Sequence, residues 1–173
     1  MATVELQPVR PASVLSPSRR GHAFGVVIES AKPFPGLQAV DGPLPTRLTS
    51  WRETSADEID SAWPINEGRV IHERRHPDDR LFLRVDRRDC IGYRVWAPYY
   101  GRHLVSPDGT SIESALPRVP FAGWQRLFFA EILPLAACLQ GLHLVRSSAV
   151  AIDGRVVAFL GPKHSGKTAF AAH

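Results

Sequence analysis

The chain has 173 residues, enough for one sizeable domain or two small ones. With 44% hydrophobic and 22% charged residues, its composition is that of a globular protein rather than a disordered or fibrous one. The net charge of +4 comes from 18 Arg and 3 Lys against 17 acidic residues. No basic stripe interleaved with aromatics appears, so nucleic acid is not an expected partner.

Residues 1–21 contain Pro8, Pro11 and Pro17, show little periodicity, and read as a flexible tail. They lack the continuous apolar core of a signal peptide. The run from Ala23 to Ser30 is β-prone. The prolines of Lys32-Pro33-Phe34-Pro35-Gly36 forbid a regular ladder after it, and Asp41-Gly42-Pro43 extends the loop. Thr46 to Arg52 predicts another strand, with Leu48 and Trp51 as core candidates. Residues 53–68 are polar and acidic and read as a solvated loop or short helix rather than a metal-binding carboxylate cluster.

Strand-like runs follow at 69–74, 81–85, 91–97 and 99–105. Turn signals separate them at Pro77-Asp78-Asp79, at Asp86-Arg87-Arg88-Asp89 and at Pro98, and the tight-turn signal Pro107-Asp108-Gly109 is followed by Thr110-Ser111-Ile112-Glu113. Their spacing predicts an antiparallel meander. His72 and His76 are four apart, which would suit a metal on a helix but not on a strand and turn. Cys90 and Cys138 make no disulfide framework and are expected as buried thiols in a reducing compartment.

A boundary is expected at Pro117 to Pro120. Phe121 to Gln140 then reads as a helix whose apolar face carries Trp124, Leu127, Phe128, Ile132 and Leu135, kinked at Pro134 and stopped by Gly141. The apolar stretch 127–142 is interrupted by Glu131 and Gln140 and is too short to cross a membrane, so no membrane partner and a cytoplasmic location are expected. Leu142 to Ile152 and Arg155 to Leu160 read as two strands joined by the hairpin dipeptide Asp153-Gly154.

The second of those strands runs into Gly161-Pro162-Lys163-His164-Ser165-Gly166-Lys167-Thr168, followed by Ala169 and further helix formers. This is the pattern G-x-x-x-x-G-K-[ST], the phosphate-binding P-loop, in its strand-loop-helix setting. Consecutive loop N–H groups and a helix start supply donors to phosphate oxygens. Gly161 and Gly166 would let the backbone approach, Lys167 would reach the β- and γ-phosphates of ATP, and Thr168 would ligate Mg²⁺. Pro162, Lys163, His164, Ser165 and Ala169 complete the nucleotide-binding set, contributing mainly backbone. The alternative is a glycine-bounded turn with an incidental surface lysine.

The stretch from Ser148 through Asp153-Gly154 to Leu160-Gly161-Pro162 and Ser165-Gly166-Lys167-Thr168 resembles the HPr kinase/phosphorylase superfamily, and in particular bacterial HPr-kinase-like proteins. The resemblance covers residues 133–170, including the segment Leu133 to Gln140. Phe24-Gly25 and the Pro33-Phe34-Pro35 loop are similar to the N-terminal part of the same group.

The resemblance implies an ATP- and Mg²⁺-dependent kinase, a transferase acting on a Ser of a protein or peptide. Its base and a second metal-binding acid lie beyond the P-loop in the family, and the sequence in hand ends at His173. Little turnover by this chain alone is therefore expected, with its catalytic residues unassigned. Family members often place a His fifteen positions before the first loop glycine. Here that residue is Arg146, which can contact phosphate but cannot act as acid or base near neutral pH; otherwise it simply occupies the strand edge.

The expected architecture is α/β, α+β overall. It comprises a tail (1–21), a β-rich N-terminal domain (22–120) and an incomplete P-loop nucleotide-binding domain (121–173). The other reading is a non-catalytic peptide- or protein-binding module. Its P-loop would be vestigial, or completed by a second chain.

Overall fold

The computed structural model describes residues 19–32, 38–39, 47–64, 66–117, 121–145, 147–162 and 165–172. These form a mixed α/β structure, rich in strands, with one large mixed sheet and a few helices. The Pro33-Phe34-Pro35 loop, the Asp41-Gly42-Pro43 turn, most of the tail, Arg118 to Pro120 and Arg146 lie outside the described residues.

Nine strands make the large sheet. They are β1 (Arg19–Ala23), β2 (Val26–Ser30), β3 (Gln38–Ala39), β4 (Leu48–Thr54), β5 (Arg69–Arg75), β6 (Leu81–Arg88), β7 (Gly92–Ala97), β8 (Gly101–Val105) and β9 (Ser111–Ala115). Their spatial order is β3-β1-β2-β4-β9-β8-β7-β6-β5. The strands β5 to β9 are the expected antiparallel meander. The centre differs, because β4 runs parallel to both β2 and β9, pairing Val27 with Leu48 and Trp51 with Ile112.

Several local expectations are corrected. The tail ends earlier than residue 21, since β1 begins at Arg19 and Arg20 pairs with Glu29 across β1 and β2. The run from Ala23 to Ser30 is not one strand. Phe24 and Gly25 both take positive φ, 53° and 76°, and turn the chain between β1 and β2. Asp86-Arg87-Arg88 does not break a strand either, because β6 continues through Arg88 and turns only at Asp89 to Ile91. Leu48 is exposed, whereas Trp51 is buried as expected. Both cysteines are exposed rather than buried. Cys90 sits in the tight β6–β7 turn at φ 65°.

The helical stretch comes in three pieces: α2 (Phe121–Leu127), a π-turn (Phe128–Ile132) and α3 (Leu133–Leu139). Pro134 explains the wide turn. It has no N–H for the carbonyl four residues back, and its ring would crowd that carbonyl. The chain responds by opening one turn to i→i+5 spacing, and Leu133 N–H donates to Phe128 O. The stretch ends at Gly141, φ 81°, with Leu142 N–H donating to Ala137 O and Gly141 N–H to Cys138 O, a Schellman closure. These helices pack on the nine-stranded sheet. Trp124, Phe128, Ile132, Leu133 and Ala136 share one core with Val26, Ile28, Trp51, Val95, Val105 and Ile112.

At its centre Trp124 lies 5.5 Å from Trp51 and 5.1 Å from Phe128, ring to ring. Beside it His103 is fully buried, with Nδ1 2.9 Å from Ser114 Oγ. Ser114 Oγ accepts from the Trp51 indole N–H at 3.0 Å, which leaves its own hydrogen for His103. Burial pushes His103 down to about 4, with the Tyr100 backbone pulling the other way.

The opposite sheet face carries α1 (Ala56–Ala62) and cross-strand ion pairs. Ser55 caps α1 in a capping box: Glu58 N–H donates to Ser55 Oγ at 3.1 Å, and Ser55 N–H donates to Glu58 Oε2 at 2.9 Å. Beyond α1, Trp63 is buried against Arg94, whose guanidinium lies 5.4 Å from the indole ring. Arg94 donates to the Trp63 and Pro64 carbonyls, each at 3.1 Å, and to Asp86 Oδ2 at 2.8 Å. Asp86 is itself wholly buried and also accepts from Arg84 Nε at 2.7 Å. Arg94 of β7 thus ties the return loop of α1 to Asp86 on β6.

Candidate functional site

The remaining elements are β10 (Ser147–Ile152), β11 (Arg155–Leu160) and α4 (Lys167–Ala172). The strands β10 and β11 form a separate antiparallel hairpin. Asp153 and Gly154 turn it with φ of 48° and 72°, the left-handed pair that a two-residue hairpin turn requires. Side chains alternate across it. Ala149, Ala151, Val156, Ala158 and Leu160 share one face, while Ser148, Val150, Val157 and Phe159 share the other. The helix α4 lies against this second face, with Phe170 stacked on Phe159 at 6.1 Å and 20°.

The loop 161–166 joins β11 to α4. Gly161, Pro162, Ser165, Gly166, Lys167, Thr168 and Ala169 come together in it and in the first turn of the helix, whereas Lys163, His164 and Arg146 lie outside the described residues. Gly166 is constrained by its backbone, and Gly161 by a nearby side chain that could turn away. A Cβ on Gly161 would fall 2.8 Å from Ser165 Oγ, and Gly166 sits at φ 78°. The loop is tightened by Ser165 N–H donating to Pro162 O at 3.3 Å.

Lys167 does not extend into solvent. Its ammonium donates to Pro162 O at 2.5 Å and to Ser165 Oγ at 3.4 Å, so it folds back across the loop. Thr168 is exposed, and its hydroxyl lies 3.3 Å from Ser148 Oγ on β10. Sequence reasoning missed Ser148. The hairpin register gives the one signal in the sequence, placing Ser148 opposite Phe159 near the start of the loop; its contact with Thr168 is tertiary.

In kind, this donor set suits a magnesium nucleotide. It offers one primary ammonium, one hydroxyl able to give a lone pair to a hard cation, and a glycine-bounded backbone with no side chain at its two ends. The histidine pair does not form a comparable site. His72 is on β5, and the His76 ring meets the Phe82 ring edge-on at 5.2 Å. Among the described residues, no three His, Cys, Asp or Glu side chains gather as metal ligands, and no helix is long and apolar enough to cross a membrane.

Compared with protein families, with curated proteins and with solved structures, the chain finds no match.

Proposed function

We propose that this chain is a cytoplasmic ATP-binding P-loop protein of the HPr-kinase-like type, a type that by the resemblance phosphorylates a Ser of a protein or peptide. The observation that carries the reading is the Gly161 to Thr168 pattern set on a hairpin strand, a loop and a helix start, with Lys167 folded across the loop. On nucleotide binding, Lys167 exchanges the Pro162 carbonyl for a phosphate oxygen, a stronger acceptor because it carries charge. Gly161 and Gly166 keep the backbone clear of side chains so that loop amides approach the phosphates. Thr168 would hold Mg²⁺ through its hydroxyl oxygen, and the ion would supply charge neutralisation to the phosphates. The base and second acidic metal ligand of the transfer step belong, by the resemblance, downstream of Thr168.

Calorimetric titration with Mg-ATP tests the proposal. The wild-type chain should bind, and Lys167→Ala should weaken binding by more than about tenfold. A folded wild-type chain that takes up no nucleotide would sink it.

A second reading, a non-catalytic peptide- or protein-binding module, draws on a different feature. A groove of about 310 Å³ is lined by Phe82 of β6, Tyr100 of the β7–β8 turn, and Gly123, Arg126, Leu127, Ala130 and Glu131 of the helical stretch. It is lined by none of the loop residues and would serve a partner without nucleotide.

A further inference from the structure

We propose that Ser148 is a positioning residue for the nucleotide's magnesium ion: it accepts the proton of the Thr168 hydroxyl and so aims that oxygen's lone pair at the metal. The inference rests on the nucleotide-binding reading above and extends it to a residue outside the loop motif. A hydroxyl that ligates a cation does so through a lone pair, and its single hydrogen must then point elsewhere. At Thr168 the described acceptor within reach is Ser148 Oγ, 3.3 Å away.

The pair is held from both sides. Ser148 is fixed in β10 by its register with Phe159, and α4 is fixed over the same face by the stacking of Phe170 on Phe159. Ser148 is half-buried, whereas Thr168 is open to solvent, so the serine lies beneath the threonine and leaves its outer side for a ligand. Without metal, either hydroxyl can donate. With metal, Thr168 must donate and Ser148 must accept.

Calorimetry with Mg-ATP, and with ATP in EDTA, separates this role from a merely structural one. Ser148→Ala should weaken Mg-ATP binding about five- to tenfold, the worth of one hydrogen bond, and leave metal-free ATP binding within about twofold of wild type. Ser148→Thr, which keeps the hydroxyl, should restore Mg-ATP binding. In a Thr168→Val background, Ser148→Ala should add nothing, because the proton it served is gone.

Equal weakening with and without metal, full additivity with Thr168→Val, or no effect of Ser148→Ala would each overturn the inference. Lys167→Ala tells the two levels apart. If it abolishes binding while Ser148→Ala changes nothing, the nucleotide reading stands and this inference falls. If the wild-type chain binds no nucleotide at all, both fall together.

Discussion

The nine-stranded sheet and the β10–β11 hairpin are built from the same local signals, yet they end in opposite states. Strands β7, β8 and β9 bury Val95, Val105 and Ile112 beneath Trp124 and Phe128. The hairpin leaves Val156 70%, Leu160 63% and Phe170 on α4 69% exposed. What separates them is a second layer. The helices 121–139 cover one face of the large sheet, while among the described residues the six of α4 lean on one face of the hairpin. A two-stranded hairpin is marginal alone. The candidate nucleotide loop therefore sits on a thinly packed part of the molecule, which a bound ligand would stabilise.

That contrast can be broken most directly in the large core. Trp124→Ala removes a side chain 1% exposed and flanked by Trp51, Phe128 and His103, and should cost about 3–5 kcal/mol in chemical denaturation. Asp86→Ala should cost nearly as much, about 3 kcal/mol, because it strands the buried Arg94 guanidinium without its carboxylate. A midpoint for either variant close to wild type would mean that the sheet is far less cohesive than its burial implies.

Acid probes the same core through His103. Its pKa is depressed in the fold, to about 4 from an ordinary 6.5, so the neutral ring is the form the core holds. Its contribution is complete above pH 6.5 and is lost as pH falls through 4, a total of about 3 kcal/mol. Denaturation midpoints measured between pH 7 and pH 4 should fall accordingly, and His103→Gln should flatten that part of the profile.

Smaller effects sharpen the picture. Ser55→Ala removes the capping box of α1 and should cost about 1 kcal/mol, read from the thermal midpoint. At the other extreme, Val156→Ala on the open hairpin face should cost under about 0.5 kcal/mol. Hydrogen exchange should show β10 and β11 amides opening well before those of β7 and β8. Slow exchange in β10 would contradict the contrast outright.

Much of this architecture is legible in the residues. The meander from Arg69 to Ala115 follows from alternation and turn dipeptides, and Asp153-Gly154 marks the hairpin before the loop. The parallel seam of β2, β4 and β9 does not announce itself, because parallel pairing joins segments remote in sequence and leaves no turn between them. Asp86 is illegible for a different reason. Within Asp86-Arg87-Arg88-Asp89 it looks like a solvated turn, and only Arg94 across the strand pair makes it a core residue. Of the candidate site, the motif gives the loop and its lysine and threonine. It is silent on Ser148, whose relation to Thr168 exists only once the hairpin has closed.

The parallel seam also bears on how the chain acquires its shape in time. Each hairpin of the meander closes a short loop, which is entropically cheap and fast. The seam joins Ser50 to Ser111, with the whole meander between them, and Gln140 then bridges Thr49 and Gly109 across it. Pairings of such long range set slow folding rates. Closing the β4–β9 pairing is therefore expected late, and until it forms β4 has only β2 as a neighbouring strand. Variants at Thr49 or Gln140 should slow refolding more than variants in the β6–β7 turn, a kinetic signature that equilibrium stability alone would not reveal.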